Sequence, residues 1–289
     1  MNIQYSAPVG ISIGGLGVTY GKPCITIATG LTVKGKVVNF VDRPGQNEEE
    51  LMKEKISAYL IRLTRFKNKK KLTVAITVDN PEAKSLPGYL AAMVVVAVAG
   101  FLHGYGENEA TPDVVNRTAY EIMKKCKKEM VGSETSSSVF GGVIYYRREF
   151  EFLKTVSQLN VRLPQAIAGA LWLVRTQRHP DCSSQTIRHG MMHNLQKTRL
   201  VLDNIERQIK RIIISMTKED TIFFLKAMRN LGGIYWRQPL NKNLATLSLG
   251  NGWELLYSRD EPQAQAYTSS GCGTLFCFTQ AKVGLQRQA

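Results

Sequence analysis

The feature that most limits how this chain can fold is an apolar run, LAAMVVVAVAGFL, at residues 90–102. A helix that crosses a bilayer needs roughly 18 or more apolar residues, so this run is too short to span a membrane. It therefore predicts a helix buried inside a protein. The segment before it, LTVAITVDNP, alternates as a strand does and stops at Asn80–Pro81.

Patterns on either side of this helix predict an α+β domain that ends near residue 152. Apolar runs predict strands at residues 9–13, 23–29 and 31–40, with a glycine turn between the first two. A stripe of apolar residues behind an N-cap at Asn47 predicts a helix through Leu63. A further helix is predicted at residues 113–128. The small residues that follow, at 131–148, predict a loop that runs into a strand.

The second half of the chain predicts another α/β unit. We expect a strand at residues 167–174, a long basic amphipathic helix or helix pair at 191–215 and a helix at 218–231. Two late strands, at residues 265–267 and 273–278, bracket a TSSGCG turn. The predicted domains are therefore residues 1–152 and 153–289.

Composition limits the classes of protein to which this chain can belong. The 289 residues are 44% hydrophobic, which is enough for a full core and favours two domains. Five cysteines without CxxC spacing are typical of reduced thiols, and the N-terminus shows no secretory signal pattern, so we expect a cytoplasmic protein. The formal charge of +15 favours anionic partners such as nucleic acid or phosphorylated metabolites, and it is too diffuse to choose among them.

The glycine-rich opening, SAPVGISIGGLGVTYGKP, is the most specific motif in the chain. It resembles the opening of GHMP kinases, a family of small-molecule kinases, and is most similar to the mevalonate kinase branch. That branch runs Ala-Pro-Gly-Lys, an apolar strand, Gly-Glu-His and a Tyr-Gly-Lys-Pro hairpin. In the family, this hairpin lines the substrate pocket, so the resemblance assigns substrate contacts to Gly14, Tyr20 and Lys22.

Two further segments carry the resemblance. VGSETSSSVFGG is similar to the loop that holds the family's catalytic aspartate, and Glu134 falls at the position of that aspartate. AYTSSGCG resembles the glycine-rich third motif. The polar run after residue 174 occupies the place of the family's substrate-anion contacts. The resemblance thus implies further substrate contacts at Arg175, Arg178, Ser184, Ser270 and Gly271.

The same resemblance implies a two-domain fold and a nucleotide site. The expected N-terminal domain is a ribosomal-protein-like split β-α-β domain, and the expected C-terminal domain is a ferredoxin-like α/β sandwich. ATP and Mg²⁺ are the implied cofactors, with Glu134 as general base and magnesium ligand. The implied nucleotide contacts are Ser85, Gly88, Tyr89 and Ser138. We further expect the three glycine-bearing turns to converge around one anion-holding cleft.

The chain also departs from the family at the residues that hold phosphate. PEAKSLPGYL stands where the family has Pro-x-Gly-x-Gly-Leu-Gly-Ser-Ser-Ala, whose backbone N–H groups bind the ATP phosphates at a helix N-terminus. Pro87 removes one N–H donor, and Tyr89 brings bulk where a hydroxyl is expected. The lysine that pairs with the catalytic aspartate falls at Gly10. Glu134 is longer than aspartate by one methylene, and such an offset costs roughly 10²-fold in rate if the loop does not adjust.

The resemblance leaves three functions open. The leading hypothesis is an ATP-dependent phosphotransferase that acts on a hydroxyl of mevalonate or a phosphorylated mevalonate. The second is a catalytically silent GHMP-fold protein that binds a metabolite, a protein or a nucleic acid. The third is an enzyme like diphosphomevalonate decarboxylase, although the key aspartate of that enzyme falls at Ser270. The implied partners are a small anionic metabolite and a nucleotide; a homodimer is compatible with the resemblance, a nucleic acid is not favoured and a membrane is not expected.

Overall fold

The computed structural model defines the fold over most of the chain. The described residues are 4–39, 56, 58–59, 72–104, 110–126, 132–148, 154–159, 163–176, 195–235, 238–250, 252–269 and 274–288.

Strands and helices are mixed along the chain. The strands are β1 (Gln4–Ile13), β2 (Cys24–Asn39), β3 (Leu72–Val78), β4 (Val143–Arg148), β5 (Lys154–Leu159), β6 (Leu171–Arg175), β7 (Ala245–Gly250), β8 (Trp253–Tyr257), β9 (Thr274–Cys277) and β10 (Gln286–Gln288). The helices are α1 (Tyr89–Gly104), α2 (Pro112–Cys126), α3 (Ser133–Phe140), α4 (Gln165–Ala168), α5 (Leu195–Thr217), α6 (Thr221–Tyr235) and α7 (Glu261–Ser269). Two 3₁₀ helices, Gly15–Tyr20 and Pro81–Ser85, complete the set. The α+β class is therefore confirmed.

The chain forms two compact units. One comprises Met1–Gly10, Ala28–Gly141 and Ala281–Ala289, and the other comprises Ile11–Ile27 and Gly142–Gln280. Strands β1 and β2 contribute residues to both units. The six-stranded sheet has the order β10-β1-β2-β4-β5, and β3 pairs with β2. The division that we expect at residue 152 stays a prediction.

The first unit is built around α1. The apolar run makes this helix buried from Ala91 to Leu102, which confirms the sequence prediction. Helices α2 and α3 pack against α1. The antiparallel ladder of β2 and β3, from Val33 opposite Val78 to Asn39 opposite Leu72, packs on α1 through β3.

The second unit carries an antiparallel sheet of its own, in the order β7-β8-β6-β9. Helices α5 and α6 pack against each other, and α6 packs on β7. The fully buried aromatic side chains of Phe224, Trp253 and Tyr257 lie in this core, because they alternate inward along β8 or face the sheet from α6. Residues 24–27 of β2 pair with β4, and β4 pairs with β5.

The strand predicted at residues 265–267 is wrong, because α7 occupies this part of the chain. The alternation of Gln-Ala-Gln-Ala-Tyr looks like a strand of period two, but the inward residues Ala264 and Tyr267 are three apart, as on a helix. The carbonyl oxygen of Asp260 accepts the N–H of Ala264, which starts the helix. Tyr267 donates to Glu254 and fixes the helix on β8.

The loop predicted before residue 141 is also wrong, because α3 forms there. Serine and threonine are poor helix formers when their hydroxyls compete with the backbone. In α3 the hydroxyls donate instead to carbonyls of the preceding turn: Thr135 to Gly132 and Ser137 to Glu134. Backbone and side-chain hydrogen bonds are thus satisfied together.

Three other elements differ from the sequence prediction, and a fourth is not tested. The glycine turn after β1 is a 3₁₀ helix between two glycines with positive φ, Gly14 and Gly21. The two strands predicted at 23–29 and 31–40 are one continuous β2, which passes through Gly30. The predicted strand at 167–174 is divided into α4 and β6. The predicted helix at 47–63 lies almost entirely outside the described residues.

The long helix predicted at 191–215 and the helix at 218–231 correspond to α5 and α6. Within the ranges that the structure describes, none of the helices combines the length and the apolar character needed to cross a membrane.

Candidate functional site

The predicted site residues fall into three groups. The first unit holds Glu134, Ser138 and the nucleotide candidates Ser85, Gly88 and Tyr89. The second unit holds the substrate candidates Gly14, Tyr20, Lys22 and Arg175. Arg178, Ser184, Ser270 and Gly271 lie outside the described residues. The convergence of all three motifs around one cleft therefore stays a prediction.

Glu134 lies in the first turn of α3. Gly132 precedes the helix with φ 78°, a left-handed conformation that glycine adopts without strain. The Ser133 hydroxyl donates to Oε2 of Glu134 over 2.9 Å. Glu134 is thus half-buried and oriented, as a general base must be.

The hydroxyls of α3 lie inside the protein. Ser133, Thr135, Ser136, Ser137 and Ser138 are all buried. Ser136 donates to Oδ1 of Asn116 on α2. The Ser138 hydroxyl is fully buried, and it has no hydrogen-bond partner among the residues that the structure describes. A buried hydroxyl without a partner costs about 1–3 kcal/mol, so Ser138 is the polar group of this helix that a bound ligand or water would satisfy.

The segment Pro81–Tyr89, which stands where the family has its phosphate loop, uses its hydrogen-bond donors internally. Oδ1 of Asn80 accepts the N–H of Glu82 over 3.0 Å. The N–H groups of Leu86 and Tyr89 donate to carbonyls three residues earlier in this segment, each over 3.0 Å. The Ser85 hydroxyl donates to the carbonyl of Glu82 over 2.8 Å. A phosphate bound here would have to break these bonds, and Pro87 offers no donor at all.

Close packing in the first unit fills the position of the lost family lysine. A Cβ atom on Gly88 would overlap the carbonyl oxygen of Gly10 and lie 3.2 Å from its nitrogen. A Cβ atom on Gly10 would overlap Oγ of Ser137 and lie 3.2 Å from the carbonyl oxygen of Glu134. We call these three residues, Gly10, Gly88 and Ser137, the glycine interlock. It joins β1, the start of α1 and α3 without room for a side chain at residue 10.

These observations test whether the described residues fit ATP and Mg²⁺. The N–H groups of Glu82, Ala83, Leu86 and Tyr89 are engaged, and Gly88, just before α1, packs against β1, so the segment does not fit a triphosphate as the family's loop does. In the described residues, no cluster of three or more His, Cys, Asp or Glu side chains is arranged to hold a metal ion. Glu134 is the single predicted metal ligand.

In the second unit, the 3₁₀ helix Gly15–Tyr20 packs on α5. A Cβ atom on Gly14 would lie 2.7 Å from Cδ1 of Ile209, so the turn and the helix touch through the backbone of the glycine. Nε of Arg147 donates to the carbonyl of Gly21 over 3.0 Å. The turn is therefore held both by α5 and by β4.

Lys22 is neutralised by two carboxylates of α5. Its Nζ lies 2.8 Å from Oδ1 of Asp203 and 3.0 Å from Oε2 of Glu206, and Glu206 also pairs with Lys210 over 2.8 Å. The bonds from Lys210 and then Lys22 lower the pKa of Glu206 to about 2. The bonds to Asp203 and Glu206 raise the pKa of Lys22. An anionic substrate at Lys22 would compete with both carboxylates.

Tyr20 and Arg175 are exposed. Tyr20 ends the 3₁₀ helix with 42% of its surface accessible, and Arg175 ends β6 opposite Trp253 and Thr274. Sequence reasoning missed Ser137, Asp203 and Glu206. Ser137 lies inside a recognised motif, but Asp203 and Glu206 are 181 and 184 residues from Lys22, and no local pattern links them.

Solved structures with a similar fold include several small-molecule kinases. A D-glycero-D-manno-heptose 1-phosphate kinase from Bacteriodes thetaiotaomicron aligns with 99% of this chain and 99% of its own, at TM-score 0.76 and 13% identity. Mevalonate kinase from Methanococcus jannaschii aligns over 97% and 98%, at TM-score 0.72 and 12% identity. Phosphomevalonate kinase from Streptococcus pneumoniae aligns over 100% of both chains, at TM-score 0.67 and 13% identity. This chain has the GHMP kinase fold.

The GHMP kinase fold is thus confirmed, and with it the α+β class expected from the motifs. No family model and no curated protein matches the sequence. Identities of 12–13% show a common fold and leave the substrate undecided, because heptose, mevalonate and phosphomevalonate kinases are all similar to the chain.

Proposed function

We propose that this protein is a GHMP-fold binding protein that takes up a small anionic metabolite and does not transfer phosphoryl groups from ATP. The observation that carries this proposal is that Pro81–Tyr89 is held by local hydrogen bonds and by packing against β1. The N–H groups of Leu86 and Tyr89 are bonded within the segment, that of Glu82 donates to the adjacent Asn80, and Gly88 packs against the backbone of Gly10.

Phosphoryl transfer depends almost entirely on positioning and on charge stabilisation around the phosphates. In this chain the lysine position is Gly10, and the glycine interlock occupies the space of its side chain. The groups that would neutralise developing charge are therefore missing from the place where the family has them. The fold survives without them because glycine and serine pack closely there.

Binding of a small anion is supported by the second unit. Arg175 is an exposed residue at the end of β6, and an arginine suits bidentate binding of a carboxylate or phosphate. The overall charge of +15 favours the approach of anions. Mevalonate and its phosphorylated forms are the metabolites that the fold neighbours suggest as first candidates.

Calorimetry with and without nucleotide tests this proposal. Mevalonate, phosphomevalonate and diphosphomevalonate are titrated in the absence of ATP, and MgATP is titrated separately to millimolar concentration. We expect saturable heat from at least one metabolite, weakened at least about 10-fold by Arg175→Gln because a charged hydrogen bond is lost. The control Lys242→Gln removes an equal charge from an exposed turn and should leave binding unchanged. Absence of heat from all three metabolites contradicts the metabolite-binding function.

The second candidate is the phosphotransferase on a hydroxyl of mevalonate or a phosphorylated mevalonate. The orientation of Glu134 by Ser133 at the start of α3 favours it, since a general base contributes about 10² to 10⁴ in rate. A coupled ADP-release assay on the three metabolites decides between the two. Saturable MgATP binding together with ADP release that falls at least about 10²-fold in Glu134→Gln, and is unchanged in the exposed control Glu261→Gln, would establish the kinase.

A further inference from the structure

Basic side chains line the outer face of the second unit, on the helix pair α5 and α6. We call this the basic face. Its exposed members are Lys197, Arg199, Arg207, Lys218 and Lys226, whereas Lys210, also exposed on α5, is paired with Glu206 over 2.8 Å. The opposite side of α5 is buried against the core through Ile205, Ile209, Ile212 and Met216. The helix is therefore fixed in orientation, and its charged face always points outward.

The acidic residues of the same helices are fewer than the basic ones. Asp203 and Glu206 are paired with Lys22, and Glu206 also with Lys210. Glu219 and Asp220 lie in the turn between the helices, where Asp220 accepts the N–H of Phe223 and caps α6. The helices α5 and α6 therefore carry a surplus of positive charge, with two of their acids in the middle of α5 and two in the turn before α6.

The spacing of the basic face suits an extended polyanion. Helix α5 has 23 residues and is about 34 Å long at 1.5 Å per residue. Lys197 lies in its first turn, Arg207 lies near its middle, and Lys218 directly follows its last residue. A nucleic-acid strand presents one phosphate every few ångströms over the same length, whereas a small metabolite engages only one or two of these cations.

We propose that the basic face binds the phosphate backbone of a nucleic acid, without selecting a base sequence. This goes beyond the metabolite-binding function and uses a different surface of the second unit. Lysine and arginine contacts to phosphate position a protein on the strand and carry no sequence information. Binding through five such contacts would follow salt with a log–log slope of about −4.5, and affinity would fall about 500-fold between 50 and 200 mM salt.

Fluorescence anisotropy on labelled oligonucleotides tests the proposal. The full chain is titrated against a duplex DNA and a single-stranded RNA of mixed sequence, at 50, 100 and 200 mM NaCl. The test variant is the triple substitution Arg207→Gln, Lys218→Gln and Lys226→Gln. We expect at least about 10-fold weaker binding at 50 mM salt and, on duplex DNA, a slope that is shallower by about 2.7.

The control variant removes the same charge from other exposed positions, by Lys36→Gln, Lys242→Gln and Lys282→Gln. It should retain the affinity and the salt slope of the parent chain. Equal losses in both variants would show that net charge alone attracts the nucleic acid and would overturn the basic face. Absence of binding at 50 mM salt, or stronger binding to anionic lipid vesicles than to either oligonucleotide, would overturn the proposal as well.

Discussion

Two motif regions of this chain hold their residues in different ways. In the first unit, Pro81–Tyr89 and the glycine interlock are closed by backbone packing and by hydrogen bonds within the segment. In the second unit, the turn that ends at Lys22 keeps the family's residues, but the lysine is paired with Asp203 and Glu206. In the first unit, close backbone packing leaves no room for added side chains. In the second unit, two carboxylates compensate the charge of Lys22.

The comparison indicates that the steric packing and the ion pairing differ in how strongly they depend on the solvent. Overlap of a side chain with backbone atoms cannot be relieved by a change of solvent, and interiors transmit such strain because they are close-packed. An ion pair with partly exposed partners responds to salt and pH. We therefore expect side chains added in the first unit to destabilise the protein in any solvent. The ion pairs of the second unit should weaken at high salt or low pH.

The largest expected effect is that of Gly88→Ala. The new Cβ would overlap the carbonyl oxygen of Gly10, and backbone has little freedom to move away, so we expect a loss of about 3 kcal/mol in the free energy of unfolding. Urea denaturation monitored by circular dichroism measures this loss. Gly233→Ala is the matched control: its Cβ would lie 3.9 Å from Cγ of Gln238, and alanine in α6 should be neutral or stabilising. Similar losses of stability in both variants would contradict the close contact between Gly88 and Gly10.

The second prediction concerns the coupling between Gly10 and Ser137. Gly10→Ala should destabilise the protein by about 2 kcal/mol, because its Cβ meets Oγ of Ser137. In a Ser137→Ala background that oxygen is gone, and the same substitution should cost at least about 1 kcal/mol less. A double-mutant cycle in urea gives this coupling energy. Ser136→Ala is the control background, since Ser136 bonds to Asn116; coupling of equal size there would refute a direct contact.

These residues also show how far the sequence could predict the structure. The burial of α1 follows from a run of apolar residues that has no polar face, and the fold follows from motif order. Helix α3 was missed because serine propensity argues against helix, while the deciding hydrogen bonds to Gly132 and Glu134 depend on the helix itself. A local sequence pattern thus predicts a helix such as α1, which is buried on all sides. It fails for α3, where side-chain hydroxyls donate to carbonyls of the same helix.

The candidate site was predictable only in part. The motif positions led to Glu134 and Lys22, but the partners of Lys22 lie on α5, far along the chain, and contact between distant segments leaves no periodic signal. The closure between Gly10 and Gly88 is likewise invisible in sequence, because it depends on the distance between β1 and α1. What the sequence did show was the absence of the family's glycines and lysine from these positions.

The third prediction is that the ion pairs of Lys22 are salt-sensitive. Lys22→Met removes both pairs but leaves the side-chain stem, and partly exposed pairs of this kind contribute about 0.5–1 kcal/mol. The loss in the free energy of unfolding relative to the parent chain should shrink when NaCl is raised from 0.05 to 1 M, because the screening length falls from about 14 Å to about 3 Å. The loss caused by Gly88→Ala should not change with salt. Lys242→Met, in an exposed turn, is the control and should have no effect at either salt concentration. A salt-independent loss in Lys22→Met would assign the effect to packing.

The smallest expected effect is the pH dependence that Glu206 contributes. Its pKa is about 2 in the folded protein and close to the ordinary 4.5 when unfolded, so the unfolded state binds the proton first as the pH falls. The stability that Glu206 provides is therefore complete above about pH 5 and is lost progressively toward pH 2. Urea midpoints at half-unit steps from pH 6 to pH 3 should fall more steeply for the parent chain than for Glu206→Gln. Parallel curves would mean that Lys22 and Lys210 do not hold this carboxylate in solution, and the contrast between a sterically blocked first unit and an electrostatically compensated second unit would then lose its second half.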